Sequence, residues 1–120
     1  MRVGRVGLVA AVALAAAVAC STSDTANAVG IVATDTECRV DRTDLASGRQ
    51  SFKVNNQGDK VTEVYVYGEG DEVIAEKENI GPGTSVTFSA DLSAGKYQIA
   101  CKPGQTGKGI RQEITVSGAP

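Results

Sequence analysis

An all-β chain folded as a Greek-key β-sandwich of seven or eight strands is the fold class the sequence predicts. Three observations lead there. From Val29 onward, short β-rich runs alternate with clusters of Gly, Pro, Asn and Asp, about one turn signal every ten residues. No stretch of about ten residues has a helical hydrophobic period. The length from Val29 to Gly118 suits one domain and is too short for two.

The strands are expected, in order, near Gly30–Asp35, Gln50–Val54, Thr62–Tyr67, Glu72–Lys77, Ser85–Ser89, Lys96–Cys101 and Arg111–Val116. Their separators are Leu45-Ala46-Ser47-Gly48, Asn55-Asn56-Gln57-Gly58, Gly68-Glu69-Gly70-Asp71, Gly81-Pro82-Gly83, Ser93-Ala94-Gly95 and the glycine-rich loop Pro103–Gly109. Thr62–Tyr67 carries Val64 and Val66 on one face and Tyr65 and Tyr67 on the other, which places it centrally in its sheet. Side chains alternate along a strand, so Tyr97, Ile99 and Cys101 share a face and Cys101 points inward at the strand end. The expected core is modest: Phe52, Phe88, Tyr65, Tyr67, Tyr97 and many Val and Ile residues.

The N-terminus has the three parts of a secretory signal, residues 1–19. Arg2 and Arg5 form the positive region, and Val6 to Ala19 form an apolar run shorter than the roughly 20 residues of a spanning helix. Ala17 and Ala19 are the small residues a signal peptidase requires. The next residue is a cysteine, and Ala17-Val18-Ala19-Cys20 resembles a bacterial lipobox. Lipidation of Cys20 would anchor the chain to the cell membrane, at about 0.8 kcal/mol per buried CH2 group. Residues 20–28 then read as a lipidated N-terminus and polar tether, and 29–118 as the domain. The expected location is the outer face of the cytoplasmic membrane or the periplasm.

Composition narrows the chemistry. Without Arg2 and Arg5 the chain holds 10 basic residues against 14 acidic ones, a net of −4. Basic patches interleaved with aromatics are absent, so nucleic acid is not an expected partner. The sequence has no His, no Trp and a single Met at its start. Ser-His and Cys-His nucleophilic catalysis is excluded on residue type, and so is a His2Cys(Met) blue-copper centre. Thiolate, carboxylate and backbone oxygen are the remaining metal ligands. No catalytic residue is assigned and the chain is not expected to be an enzyme.

The run Gly95-Lys96-Tyr97-Gln98-Ile99-Ala100-Cys101-Lys102-Pro103-Gly104 resembles the cupredoxin signature, a strand of the form G-x-Y-x-x-x-C ending at the copper-binding cysteine. Gly104 and Gly109 stand where that family has its histidine and methionine ligands, and Glu63 lies close to the place of the other histidine. The immunoglobulin corner instead puts Tyr two residues before Cys, whereas here the spacing is four. Within the superfamily the chain is similar to the cupredoxin-like domain of the EfeO-type periplasmic iron-uptake proteins. Four runs carry that resemblance: Thr34-Asp35-Thr36-Glu37-Cys38, Thr62-Glu63-Val64-Tyr65-Val66, Glu76-Lys77-Glu78-Asn79-Ile80-Gly81-Pro82-Gly83, and Gly95–Cys101. The resemblance implies a cupredoxin-like sandwich that holds copper or iron through cysteine and carboxylates. It also implies copper-assisted oxidation of ferrous iron and handover to an iron permease or a peroxidase partner. The chain stops at Pro120 without the helical M75 domain and its His-x-x-Glu iron site, so an accessory that presents metal to a partner is expected.

Antiparallel strand order suggests that Glu63, Glu76, Glu78 and Cys101 cluster at one end, with Glu69 and Asp71 at the other. The candidate metal site is therefore Cys101, Cys38 and Glu63, supplemented by Glu76 or Glu37. Two thiolates with a carboxylate favour copper, and carboxylates alone suit ferric iron. The alternative for Cys38 and Cys101 is a structural disulfide, the usual state of a cysteine pair in an oxidising compartment. With that bridge the chain is a metal-free binding module at the cell surface. Both readings stand at this point.

Overall fold

The computed structural model describes residues 27–118, together with Gly4. The expected signal segment, Cys20 and most of the tether lie outside the described residues. Among the described residues, nine strands form two mixed sheets. They are β1 (Val29–Ala33), β2 (Cys38–Val40), β3 (Asp44–Ala46), β4 (Gly48–Asn56), β5 (Thr62–Tyr67), β6 (Val73–Ile80), β7 (Ser85–Leu92), β8 (Gly95–Pro103) and β9 (Ile110–Ser117). One sheet has the order β2-β1-β4-β7 and the other β3-β9-β8-β5-β6. The chain changes sheets between β2 and β3, β3 and β4, β4 and β5, β6 and β7, and β7 and β8, which makes the sandwich.

All seven expected strands are present, most of them longer than the sequence suggested. The two added strands, β2 and β3, are three residues each. Leu45 was expected in a turn, yet it is 5% exposed within β3, which pairs in parallel with β9. The turn itself is confined to Ser47 and Gly48, whose φ of +117° favours glycine. Asn55 and Asn56, also expected in a turn, continue β4, and β1 pairs with them in parallel.

Alternation decides what is buried. Val29, Ile31 and Ala33 of β1 face inward, as do Phe52 and Val54 of β4, Val64 and Val66 of β5, Ile99 and Cys101 of β8, and Ile114 and Val116 of β9. Phe52 and Phe88 are register partners on β4 and β7, their rings stacked at 5.3 Å. Central β5 is paired on both sides, by β6 and β8. Its tyrosines lie on the other face from the core cluster; Tyr65 and Tyr67 stack on each other at 5.2 Å, opposite in parity to Val64 and Val66, and Tyr67 is itself buried there. The core is therefore mainly aliphatic, with the Phe52–Phe88 pair and, packed against it, Tyr97.

Cys38 and Cys101 are joined in a disulfide, with Cα atoms 5.5 Å apart and a sequence separation of 63. Cys38 belongs to the first sheet through its pairing with Ala33, and Cys101 to the second through Val64 and Ile110. The bridge thus ties sheet to sheet. Closing a loop of that length stabilises by about 4 kcal/mol in the chain-entropy account. Replacing both cysteines by alanine is expected to lower the unfolding free energy by about that much, read from the urea midpoint at unchanged slope. A loss below about 1 kcal/mol would mean that the bridge adds little to what packing already fixes.

Candidate functional site

Four connections converge at the end of the sandwich that carries the disulfide. Asn56, 1% exposed, organises them. Its side-chain amide donates to the carbonyls of Lys60 at 2.8 Å and Ile80 at 2.9 Å, and its Oδ1 accepts from the Gly58 N–H at 2.9 Å. Its backbone N–H donates to Thr84, and its carbonyl accepts from Gly83. One buried amide thereby holds the loop after β4, the end of β6 and the turn before β7. The Asp35 carboxylate accepts from the N–H groups of Asp59 and Lys60 and closes the same loop. Gly58 is required there, since a Cβ would sit 3.0 Å from the Asp35 backbone nitrogen and closer still to its carboxylate. The loop after β8 joins through Gly104 N–H to Val61 at 2.8 Å, and through the Gln105 side chain, which accepts from the Asn79 N–H at 2.9 Å.

Inside this end lie the two sulfurs. The turn leading to Cys38 is fixed by the Thr34 hydroxyl, which accepts from the N–H groups of Thr36 and Glu37. Cys101 is fully buried and Cys38 is 7% exposed.

Outside, β5, β6, β8 and β9 present a polar face. Glu63 pairs with Lys102, and Tyr65 with Glu76 on one side and Ala100 on the other. The Lys102 ammonium lies 4.0 Å from the Tyr65 ring centre and 5.3 Å from that of Tyr67. The Arg111 guanidinium sits 4.5 Å from the Tyr67 ring, donates to Asp71 at 2.7 Å and donates to Gln98 at 3.0 Å. Arg111 holds the Asp71 carboxyl below its ordinary range. Glu63 is pushed the other way: partial burial raises its pKa, Lys102 opposes the rise, and Glu78 and Glu76 add to it. The Tyr65 hydroxyl is also raised, first by its hydrogen bond to Glu76 and then by burial.

The five sequence-predicted ligands therefore occupy three places. Cys38 and Cys101 are bonded to each other in the core. Glu63 and Glu76 lie on the outer face of the second sheet, next to Glu78. Glu37 is in the exposed turn between β1 and β2, 3.3 Å from Arg39. Register explains the division: Val64 stands opposite Cys101, so Glu63, one residue earlier, points through the other side of the sheet. Glu63, Glu76 and Glu78 do share an end with Cys101, but the sheet lies between them. Among the described residues, no group of three His, Cys, Asp or Glu side chains is arranged to hold a metal ion. Glu69 and Asp71 lie at the opposite end, beside an open groove of about 340 Å³ that Lys96, Gln98 and Glu113 also line.

A sequence profile described as the cupredoxin-like domain matches residues 7–116. The chain belongs to the cupredoxin-like domain family. Among curated proteins it is similar to the iron uptake system component EfeO of Escherichia coli (strain K12), 32% identical over 73 residues. The same identity and span hold for EfeO of Shigella flexneri. The match takes in 61% of this chain and 19% of each relative, so the cupredoxin-like domain corresponds to about a fifth of their length. The resemblance read from the sequence holds. Among solved structures, Na-dithionite reduced auracyanin from Roseiflexus castenholzii superposes with a TM-score of 0.59 at 16% identity. That superposition covers 77% of this chain and 98% of auracyanin. At that identity the likeness concerns the fold.

A copper centre of the cupredoxin kind needs a free thiolate with imidazole and a weak axial thioether. Here the Cys101 sulfur is bonded to Cys38, and the chain has no histidine and no methionine beyond Met1. The residues present do not fit that centre. Sequence reasoning did not single out Asn56, Lys102 or Arg111. The Asn55-Asn56-Gln57-Gly58 run signals a turn, and nothing in it tells which amide is buried.

Two outcomes follow. Asn56→Ala leaves the buried Ile80 carbonyl unpartnered and removes the bonds to the part-buried Lys60 carbonyl and Gly58 N–H, and is expected to cost about 3 kcal/mol, measured by urea unfolding; Gln57→Ala serves as the exposed control. Glu63 binds its proton more tightly in the folded state, so its contribution to stability falls as pH rises from 4.5 through its folded pKa. Glu63→Gln should therefore raise the urea midpoint at neutral pH and leave it unchanged well below pH 4.5. A lowered midpoint at neutral pH would instead assign the carboxylate a stabilising partner.

Proposed function

We propose that this domain serves iron uptake as an exported, lipid-anchored accessory that works through protein contacts, with a disulfide-closed cupredoxin-like sandwich as its scaffold. The relation to EfeO supports the role in iron uptake. The lipobox-like Ala17-Val18-Ala19-Cys20 supports the anchor. The single observation that carries the mode of action is the bridge between Cys38 and Cys101. It takes the thiolate out of the place where the family holds copper. An iron permease or a peroxidase is the partner class this reading implies.

A second reading is favoured by the same kinship: copper or iron held by Cys38 and Cys101 as thiolates, with Glu63, Glu76 or Glu37 as oxygen donors. It requires the reduced chain and a rearrangement that brings Glu63 round to the inner face. Intact mass separates the two. The purified protein is measured before and after alkylation in denaturant, then again after equilibration with Cu(II) or Fe(III) and removal of excess metal. The first reading expects a chain two hydrogens lighter than the reduced form, no alkylation at Cys38 or Cys101, and no retained metal. Two alkylatable thiols that one bound metal protects would replace it with the second. For the anchor, Cys20→Ser should shift the protein from the detergent phase to the aqueous phase in a phase-partition assay.

A further inference from the structure

We infer that the folded sandwich traps the oxidation state of Cys38 and Cys101, so that the bond between them is made or broken only before the chain folds or after it opens. The inference rests on the bridge of the reading above and adds to it a kinetic property. Thiol–disulfide exchange needs a thiolate to approach one sulfur of the bond directly. Cys101 has no exposed surface and Cys38 has 7%. Both belong to the core cluster, and the ladder neighbours flanking them are apolar: Ala33 beside Cys38, Val64 and Ile110 beside Cys101.

The two segments that would have to move are each pinned. On the Cys38 side, β2 is held to β1 by the pairs Ile31–Val40, Val32–Arg39 and Ala33–Cys38, and the Asp41 N–H donates to Gly30 just beyond it at 2.9 Å. On the Cys101 side, the loop after β8 is held by the Gly104–Val61 and Gln105–Asn79 hydrogen bonds. Opening either flank breaks hydrogen bonds that also belong to the Asn56 assembly or to the first sheet. Access to the sulfurs therefore follows opening of the sandwich itself.

The chemistry is symmetrical. With a dithiol reductant, its thiolate attacks one cysteine sulfur and the other leaves as thiolate. The second thiol of the reductant then displaces the first cysteine. Two electrons and two protons pass to the protein, giving two cysteine thiols and a cyclic disulfide of the reductant. Formation runs in reverse, with a disulfide-bearing oxidant as acceptor. Neither direction proceeds on a buried bond, so the state of the pair is set during maturation and does not change in the folded protein.

The test is the rate of reduction. Purified full-length protein is mixed with dithiothreitol at fixed pH across a urea series, quenched with iodoacetamide, and scored by mass. Reduction in buffer is expected to be at least about 1,000-fold slower than in denaturing urea, the range of folding equilibria for small domains. The rate should climb with urea along the slope of global unfolding. A bridge present at the outset but reduced in buffer within about tenfold of the denatured rate, or independently of urea, overturns this inference alone. Two free thiols in the folded protein as purified overturn it together with the disulfide-closed reading.

Discussion

The bond between Cys38 and Cys101 joins the two sheets at one end of the sandwich, and the arrangement of that end depends on it. Only five residues of the chain are aromatic, two of them phenylalanines. The core is accordingly filled by Val, Ile and Leu side chains, with Phe52 its one fully buried aromatic ring. A domain of this size buries a smaller share of its surface than a large one, which leaves its stability modest. A covalent tie between β2 and β8 compensates by restricting the unfolded chain. It also ties β2, the three-residue strand at the edge of the first sheet, to the second sheet.

A second consequence comes from register. Because neighbouring positions on a strand face opposite ways, pairing Val64 with Cys101 commits Glu63 to the far side of the sheet. The inner face is dry and apolar; the outer face is a ladder of tyrosines under Lys102 and Arg111, bordered by carboxylates. Charge is nearly balanced on the Arg111 side, where Asp71 is held ionised. At Glu63, Glu76 and Glu78 acids outnumber the one facing cation, Lys102, and the pKa of Glu63 is raised, chiefly by its partial burial, with Lys102 opposing the rise and Glu78 and Glu76 adding to it. Sulfur and carboxylate are thus separated by the backbone of β5 and β8.

How much of this was legible in the sequence differs by level. Strong β patterning and turn chemistry located all seven long strands, and Thr62–Tyr67 was bounded to the residue. The inward aim of Cys101 followed from alternation. Missing were β2 and β3, since three-residue strands carry no period and parallel pairing with a distant partner leaves no local trace. All three tyrosines were expected in the core because aromatic residues usually go there; Tyr97 does pack against it, in phase with Ile99 and Cys101, but the parity of Tyr65 and Tyr67 with Glu63 places those two on the other face. Strand order gave the correct end for Glu63, Glu76 and Glu78; the choice of face needs the register, which one sequence does not contain. Asn56 shows the same limit: its amide looks like any turn residue until the partners around it are known.

The pairing of the cysteines and the absence of histidine are physically connected. In a cupredoxin the buried thiolate is tolerable because a metal and its imidazole ligands satisfy it. Take the imidazoles away, place the nearest carboxylate behind the sheet, and a thiolate at Cys101 would be a charge in an apolar core with nothing to balance it. A neutral thiol there would face oxidation in the exported compartment this chain is proposed to reach. Cys38, which the β1–β2 turn carries to within bonding distance, resolves both difficulties in one step, since a disulfide is uncharged and packs as an apolar group. The sulfur that resembles the metal-binding cysteine of the cupredoxin signature is thus part of the core here. What the sandwich still offers to the outside is its shape and the charged, tyrosine-lined face of its second sheet.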